Sequence, residues 1–130
     1  MPKNPEDKLQ IAVATYLDLL SRTKKFRWCH VPNGGARSKV EAGIFKAMGV
    51  KAGVPDVMIF KPKWRQVGKE EVHVCGLAIE LKVVYANGKK NYPSANQKEW
   101  MAYLKQVGWE VHVAYNFDDV KKIVDEYVGV

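Results

Sequence analysis

Residues 72–84 read "VHVCGLAIELKVV", and this largely apolar run constrains the fold more than any other stretch of the chain. It reads as a strand. Glu80 and Lys82 stand two apart within it, so they point to one face, while Ile79 and Leu81 point to the other. A Glu and a Lys on one face of an apolar strand are costly unless they are paired, exposed or functional. Whatever the chain folds into must place this strand in a sheet and deal with that pair.

The surrounding pattern supplies the rest of such a sheet. Pro5, Glu6 and Asp7 open a helix whose apolar face is Leu9, Val13, Tyr16, Leu17 and Leu20. "KFRWCHV" predicts a short strand ending before Pro32, and "PNGGARS" a turn. "KVEAGIFKAMG" predicts a short helix closed by Gly49. Asp56 to Phe60, in "GVPDVMIF", is a strand candidate. "KPKWRQVGKEE" reads as a loop or a long hairpin tip, and "YANGKKNYPSAN" as a basic loop. "QKEWMAYLKQVG" predicts a helix with Trp100, Tyr103, Leu104 and Val107 on one face. Ser94 is its expected N-cap, and Gln97 stands at the capping-box offset. "WEVHVAY" alternates as a strand, and "FDDVKKIVDEYV" is the closing helix. This order predicts an α/β layer fold: a central mixed sheet flanked by helices, in one domain spanning residues 1–130. The strands near 56–60 and 74–83 are expected to form a hairpin. The step through the helix at 94–107 is expected to be a crossover.

Composition narrows the classes. Hydrophobic residues make up 47% with no low-complexity run, so a globular fold is expected. No apolar run reaches the ~20 residues of a membrane span, and "MPKNPEDKLQ" lacks the apolar stretch of a secretory signal. Cys29 and Cys75 form no C-x-x-C pair, which speaks against zinc. They read as buried, reduced thiols and so suggest a cytosolic protein, although spacing does not exclude a disulfide. The 21 basic residues exceed the 14 acidic ones by seven, which favours polyanionic partners.

Asp56 carries the chemistry further. Alone, an acid at a strand mouth is more simply a solvated end. In an antiparallel pair of strands 56–60 and 74–83, however, Asp56 lies opposite or diagonal to Glu80. Two close carboxylates raise each other's pKa unless a cation sits between them. Hard oxygen ligands suit Mg²⁺ or Mn²⁺. A Lys beside them can hydrogen-bond a water or offset phosphoryl charge. Together these parts match metal-assisted phosphodiester hydrolysis.

Pro55-Asp56 followed by Glu80-Leu81-Lys82 resembles the signature of the PD-(D/E)xK nuclease superfamily. "HVPNGGARS", "GVKAGVPDVMIF", "LAIELKV" and "SANQKEWMAYLKQVGWEVHVAY" occur in the order and spacing of its VRR-NUC domain, so the resemblance runs from about Glu6 to about Val124. It implies a restriction-endonuclease-like core. It implies Asp56 and Glu80 as ligands of Mg²⁺ or Mn²⁺, with the Leu81 carbonyl as a further ligand and Lys82 orienting the water. Gln97 matches the family's active-site glutamine. Glu6, or its neighbour Asp7, is similar in place to an acid from the first helix. The small stand-alone members, often from bacteriophages, resemble homodimeric nucleases acting on branched DNA such as Holliday junctions. Larger relatives carry the domain at the end of repair nucleases. The expected setting is intracellular, in the cytoplasm, with DNA as partner and no membrane.

Other features have bland and sharp readings side by side. Gln97 is a capping-box residue or a site residue, or both. His30, His73 and His112 read as ordinary strand histidines. Trp64, interleaved with Lys61, Lys63 and Arg65, suits nucleic acid, but a solvated hairpin tip accounts for it more simply. Asn33, Arg37, Ser38 and Lys39 form a turn before a helix start, where free N–H groups and charge suit a DNA backbone. Lys89 and Lys90 read likewise as a basic loop. The rival functions are a non-specific or single-strand and flap nuclease, and a catalytically silent DNA-binding module.

Overall fold

The apolar run at 72–84 does not form one strand. It breaks at Cys75-Gly76 into two strands that belong to different sheets. A β-carbon on Gly76 would stand 2.5 Å from the Trp109 ring and 2.7 Å from the Ile59 carbonyl oxygen, so only glycine fits where the chain turns from one sheet to the next. The computed structural model describes residues 4–32 and 38–130. In chain order the elements are α1 (Pro5–Lys24), β1 (Arg27–His30), α2 (Lys39–Ala47), β2 (Val57–Phe60), β3 (Lys63–Val67), β4 (Glu70–Val74), β5 (Leu77–Leu81), α3 (Ala95–Gln106), β6 (Glu110–Ala114) and α4 (Phe117–Val128).

The main sheet has the order β1-β2-β5-β6. β1 and β2 are antiparallel, as are β2 and β5, while β5 and β6 are parallel. The sheet is therefore mixed, and α3 is the crossover that a parallel pair requires. Every residue of β5 is buried, because helices cover both its faces. Leu77, Ile79 and Leu81 face α1 and α4, joining Leu9, Val13, Leu17, Val120 and Val124 in one core. Ala78 faces α3, in a smaller core with Met58, Met101, Leu104 and Val111. The expected α/β layer fold is present, as is the crossover.

The local signals act as chemistry dictates. Asn4 caps α1 by accepting a 2.8 Å hydrogen bond from the Asp7 N–H, with Glu6 and Asp7 in the first turn. Asn116 caps α4 in the same way through the Asp119 N–H at 2.8 Å. The face of α3 turns out differently from its expected composition. Met101 and Leu104 are buried, whereas Tyr103 and Val107 are exposed. The helix enters the core through Met101, one position from Trp100, and so rotates the Tyr103 edge outward. Cys29 also lies exposed rather than buried, and both cysteines are free.

The expected hairpin between strands 56–60 and 74–83 is present only as a pairing of β2 with β5. The link between them folds into its own two-stranded sheet, β3–β4. This insertion sits at the far end of the strands from Asp56, since β2 runs away from that residue and β5 runs back toward it. Arg65 clamps the insertion to the body through Glu110 at 2.6 Å and Glu126 at 3.0 Å. Lys63 donates to the Tyr127 carbonyl at 2.9 Å, and Lys61 to the Lys24 carbonyl at 3.2 Å. These three cations tie the insertion to the body of the fold. Among the described residues, no helix is long and apolar enough to cross a membrane.

Gly53 locks the turn before β2. Its φ of +96° is in the region that favours glycine, and a β-carbon there would lie 2.7 Å from the Asn96 carbonyl carbon in the first turn of α3. Gly53→Ala is expected to destabilise the chain by about 2 kcal/mol or more, through backbone strain and the clash together. Urea unfolding of the two proteins measures this, and an unchanged midpoint would contradict the packing described here.

Candidate active site

The site begins with strand parity. Asp56, Met58 and Phe60 alternate with Val57 and Ile59, so Asp56 shares the face of Met58, toward α3. On β5, Glu80 shares the face of Ala78. Val57 pairs with Ile79, and the next step of that register puts Asp56 opposite Glu80. The Asp56 carboxylate accepts a 2.8 Å hydrogen bond from the Leu81 N–H, which fixes it against β5. Both acids thus point to one side of the sheet, at the end where α3 begins.

Glu80 is 1% exposed. Its Oε2 accepts from the Gln97 side-chain amide at 3.1 Å and stands 3.8 Å from the Lys82 ammonium, a loose ion pair. Its Oε1 is buried without a hydrogen-bond partner. Burial and then the neighbouring Asp56 carboxylate push the Glu80 carboxyl up to about 9, and Lys82 offsets only part of this. An orphaned carboxylate oxygen in such a place is unusual. It marks a position where a cation can supply the missing partner.

Gln97 serves two purposes. Its Oε1 accepts from the Ser94 N–H at 2.8 Å, while the Ser94 hydroxyl oxygen accepts from the Gln97 N–H at 3.2 Å, completing a capping box. Its amide nitrogen remains free to reach Glu80. The capping contacts and the contact to Glu80 therefore coexist, because an amide carries both an acceptor and a donor.

Glu6 stands apart from this pair. Its carboxylate contacts Asn91 at 3.3 Å and the Tyr85 hydroxyl at 3.4 Å, both in the loop after β5. Among the described residues no three of His, Cys, Asp and Glu group closely enough to hold a metal ion. The carboxylates brought together are Asp56 and Glu80. Two carboxylates, one with an unsatisfied buried oxygen, fit a hard divalent ion such as Mg²⁺ or Mn²⁺, which takes one or two carboxylates and keeps several waters. Leu81, whose carbonyl is the expected further ligand, follows Glu80 directly.

The basic residues fall at two places. Lys89 and Lys90 lie in the loop after β5, at the same end as Glu80, with the Lys90 ammonium 4.2 Å from the centre of the Tyr115 ring. Ser38 caps α2 by accepting from the Glu41 N–H at 3.1 Å, and Lys39 is exposed beside it. Asn33 and Arg37 lie outside the described residues. Sequence reasoning missed His30. Its Nδ1 is 2.7 Å from the Asp56 carbonyl oxygen. A carbonyl only accepts, so Nδ1 carries the proton. The Val31 N–H donates to the same oxygen at 3.0 Å, and the end of β1 thereby steadies the Asp56 backbone. The signal was the register: His30 pairs with Val57, next to Asp56.

A mixed sheet that gathers Asp56, Glu80, Lys82 and Gln97 at one end has the arrangement of a PD-(D/E)xK nuclease core. Among solved structures the chain is similar to one described as a VRR_NUC domain protein, with a TM-score of 0.69 and 28% identity over 99% of this chain and 92% of that one. No family model and no curated protein matches the chain. The fold match agrees with the resemblance to VRR-NUC domains that the motif blocks carry.

The Glu80 shift has a definite sign. The folded carboxyl keeps its proton up to about pH 9, whereas its ordinary value is 4.5. Its contribution to stability is therefore full below about pH 4.5 and is lost as pH rises through about 9. In chelator, the melting temperature of the native chain should fall between pH 5 and pH 9 relative to that of Glu80→Gln. At pH 8 the variant should melt roughly 3 °C or more higher. Added Mn²⁺ should stabilise the native chain at pH 8 and leave Glu80→Gln unmoved. Parallel melting curves for the two proteins across this range would remove the buried-acid account.

Proposed function

We propose that this chain is a Mg²⁺- or Mn²⁺-dependent DNA endonuclease that acts as a homodimer on branched DNA such as Holliday junctions. The observation that carries the reading is Glu80, buried beside Asp56 with one oxygen lacking a partner. A fold with no use for a cation has no reason to keep an acid there, since an apolar residue of similar size would be easier to bury.

A divalent ion held by Asp56, Glu80 and the Leu81 carbonyl would supply a water of lowered pKa and offset charge on the scissile phosphate. The chain's own residues do the rest. Gln97 fixes the Glu80 carboxylate through Oε2 and leaves Oε1 facing the site. Lys82 is anchored by its backbone N–H on the Ala114 carbonyl at 2.8 Å. Its ammonium orients the attacking water and donates to a phosphoryl oxygen. In-line attack then leaves a 5′-phosphate and a 3′-hydroxyl. Glu6, on α1, serves a second ion only if the Tyr85 and Asn91 contacts release it. Ser38, Lys39, Lys89 and Lys90, with Asn33 and Arg37, hold the DNA backbone, consistent with a net charge of +7. Backbone contacts carry no base sequence, so selectivity comes from DNA shape. Two copies related by a two-fold axis present two sites to the paired strands of a junction.

The test is cleavage of four-way junction, flap, single-stranded and linear duplex DNA, with Mg²⁺ or Mn²⁺ and with EDTA. The junction should be cut in preference, and EDTA should abolish cutting. Lys82→Ala should lower the rate about 100-fold or more, and Asp56→Asn should be inactive. Equal cutting of all four substrates excludes junction selectivity. No cutting of any substrate by the metal-loaded protein leaves the silent DNA-binding module as the reading.

A further inference from the structure

Residues 82–94 join the strand that carries Glu80 to the helix that carries Gln97. This connection is a built hairpin rather than a slack loop. Val84 and Lys90 form an antiparallel bridge. The Tyr85 N–H donates to the Lys89 carbonyl at 2.8 Å, and the Asn91 N–H to the Val83 carbonyl at 3.1 Å. The Asn91 side-chain amide also reaches Glu6 on α1. Tyr92 comes next. On one side it is bounded by Asn91, fastened to Val83 beside Lys82. On the other it is bounded by Pro93 and by Ser94, whose capping box holds Gln97. Its own N–H donates to the Asn91 side-chain oxygen at 3.0 Å. A residue before proline is confined to extended backbone, so little freedom is left at this position. The Tyr92 ring is nevertheless 66% exposed, and it makes no hydrogen bond or ring contact among the described residues. Tyr85, in the same hairpin, has its hydroxyl on Glu6.

We propose that Tyr92 is a stacking platform for a nucleobase that has left its helical stack beside the scissile phosphate. The inference rests on the DNA reading above and adds the residue that favours branched or unpaired strands over plain duplex. A lone exposed tyrosine is common on protein surfaces and by itself needs no explanation. Here three things coincide. The backbone beneath the ring is fixed, the anchors on either side adjoin Lys82 and Gln97, and Lys89 and Lys90 stand exposed in the same hairpin. Lysines take phosphates and a flat ring takes the face of a base, the combination that grips single strands without reading their sequence. Rigid presentation lowers the ordering cost of binding. A continuous duplex keeps its bases stacked on one another and offers Tyr92 no free face. At a branch point or in a single strand, a base turns onto the ring at a lower cost, since less stacking and pairing is given up.

Fluorescence anisotropy tests this with three labelled probes: a four-way junction, an oligo-dT single strand and a linear duplex, with Ca²⁺ supplied instead of Mg²⁺ to keep the DNA uncut. Tyr92→Ala should bind the junction and the single strand about 10-fold or more weakly and the duplex within about twofold of the native chain. Tyr92→Phe and Tyr92→Trp, which keep a flat ring, should bind all three as the native chain does. All three variants should melt like the native protein, since the ring is exposed. Native affinity of Tyr92→Ala for junction and single strand overturns the stacking role. So does an equal loss on all three probes, which makes the residue a backbone or folding contact, or a Tyr92→Phe as weak as Tyr92→Ala, which assigns the effect to the hydroxyl. A native chain that holds the junction no better than the duplex overturns the branched-DNA reading instead, and the single-strand comparison then decides the stacking role alone. A native chain that binds none of the probes overturns both.

Discussion

The burial of Glu80 is the constraint on which the rest of the structure depends. An acid at the end of a fully buried strand can be tolerated only where other groups meet it, and the fold brings three: the Gln97 amide, the Lys82 ammonium and the Asp56 carboxylate. The first two favour the ionised acid and the third opposes it. Burial adds to the opposition, so without a cation the carboxyl keeps its proton well above the usual range. The site is thus poised so that one arriving positive charge changes the balance.

Each of those partners is delivered by a different level of structure. Lys82 follows from the two-residue period of β5. Asp56 follows from the antiparallel register of β2 on β5, and from a Leu81 N–H that holds its carboxylate. Gln97 depends on where α3 starts. Gly53 sets that start by letting the turn before Asp56 approach the Asn96 backbone, closer than any side chain would permit. Ser94 then fixes the first turn of the helix, and the spare nitrogen of Gln97 reaches Glu80. The "GVPDVMIF" segment is therefore a joint between the sheet and the helix as well as the source of an acid.

Much of this was legible in the chain as written. The helices α1, α3 and α4 show in three- and four-residue spacing, and the cap of α3 in Ser94 and Gln97 at the capping-box offset. The pair Glu80 and Lys82 stands out because its neighbours are apolar. The inserted β3–β4 sheet was legible only as a loop or a hairpin tip, because its outer residues are polar and its strands exposed, so the pattern does not choose between the two. The fate of Lys61, Lys63 and Arg65 was hidden for a related reason. Their partners are carbonyls and acids 37 to 64 residues away in sequence, on α1, β6 and α4. His30 looked like any strand histidine until register placed it on the Asp56 carbonyl.

By itself the sequence determined the layer type, the helices α1, α3 and α4 and the two candidate acids, since period, capping and the rarity of charge in an apolar strand are local properties. The tertiary structure decided which acids meet. Asp56 and Glu80 share a face because register and parity agree, while Glu6 is drawn to Tyr85 and Asn91 in the loop after β5. It also decided which apolar residues remain outside the core. In α2 the spacing is that of a buried helix, yet none of its nine residues is buried. Periodicity specifies that a face is apolar; only the packing of distant segments decides what covers it.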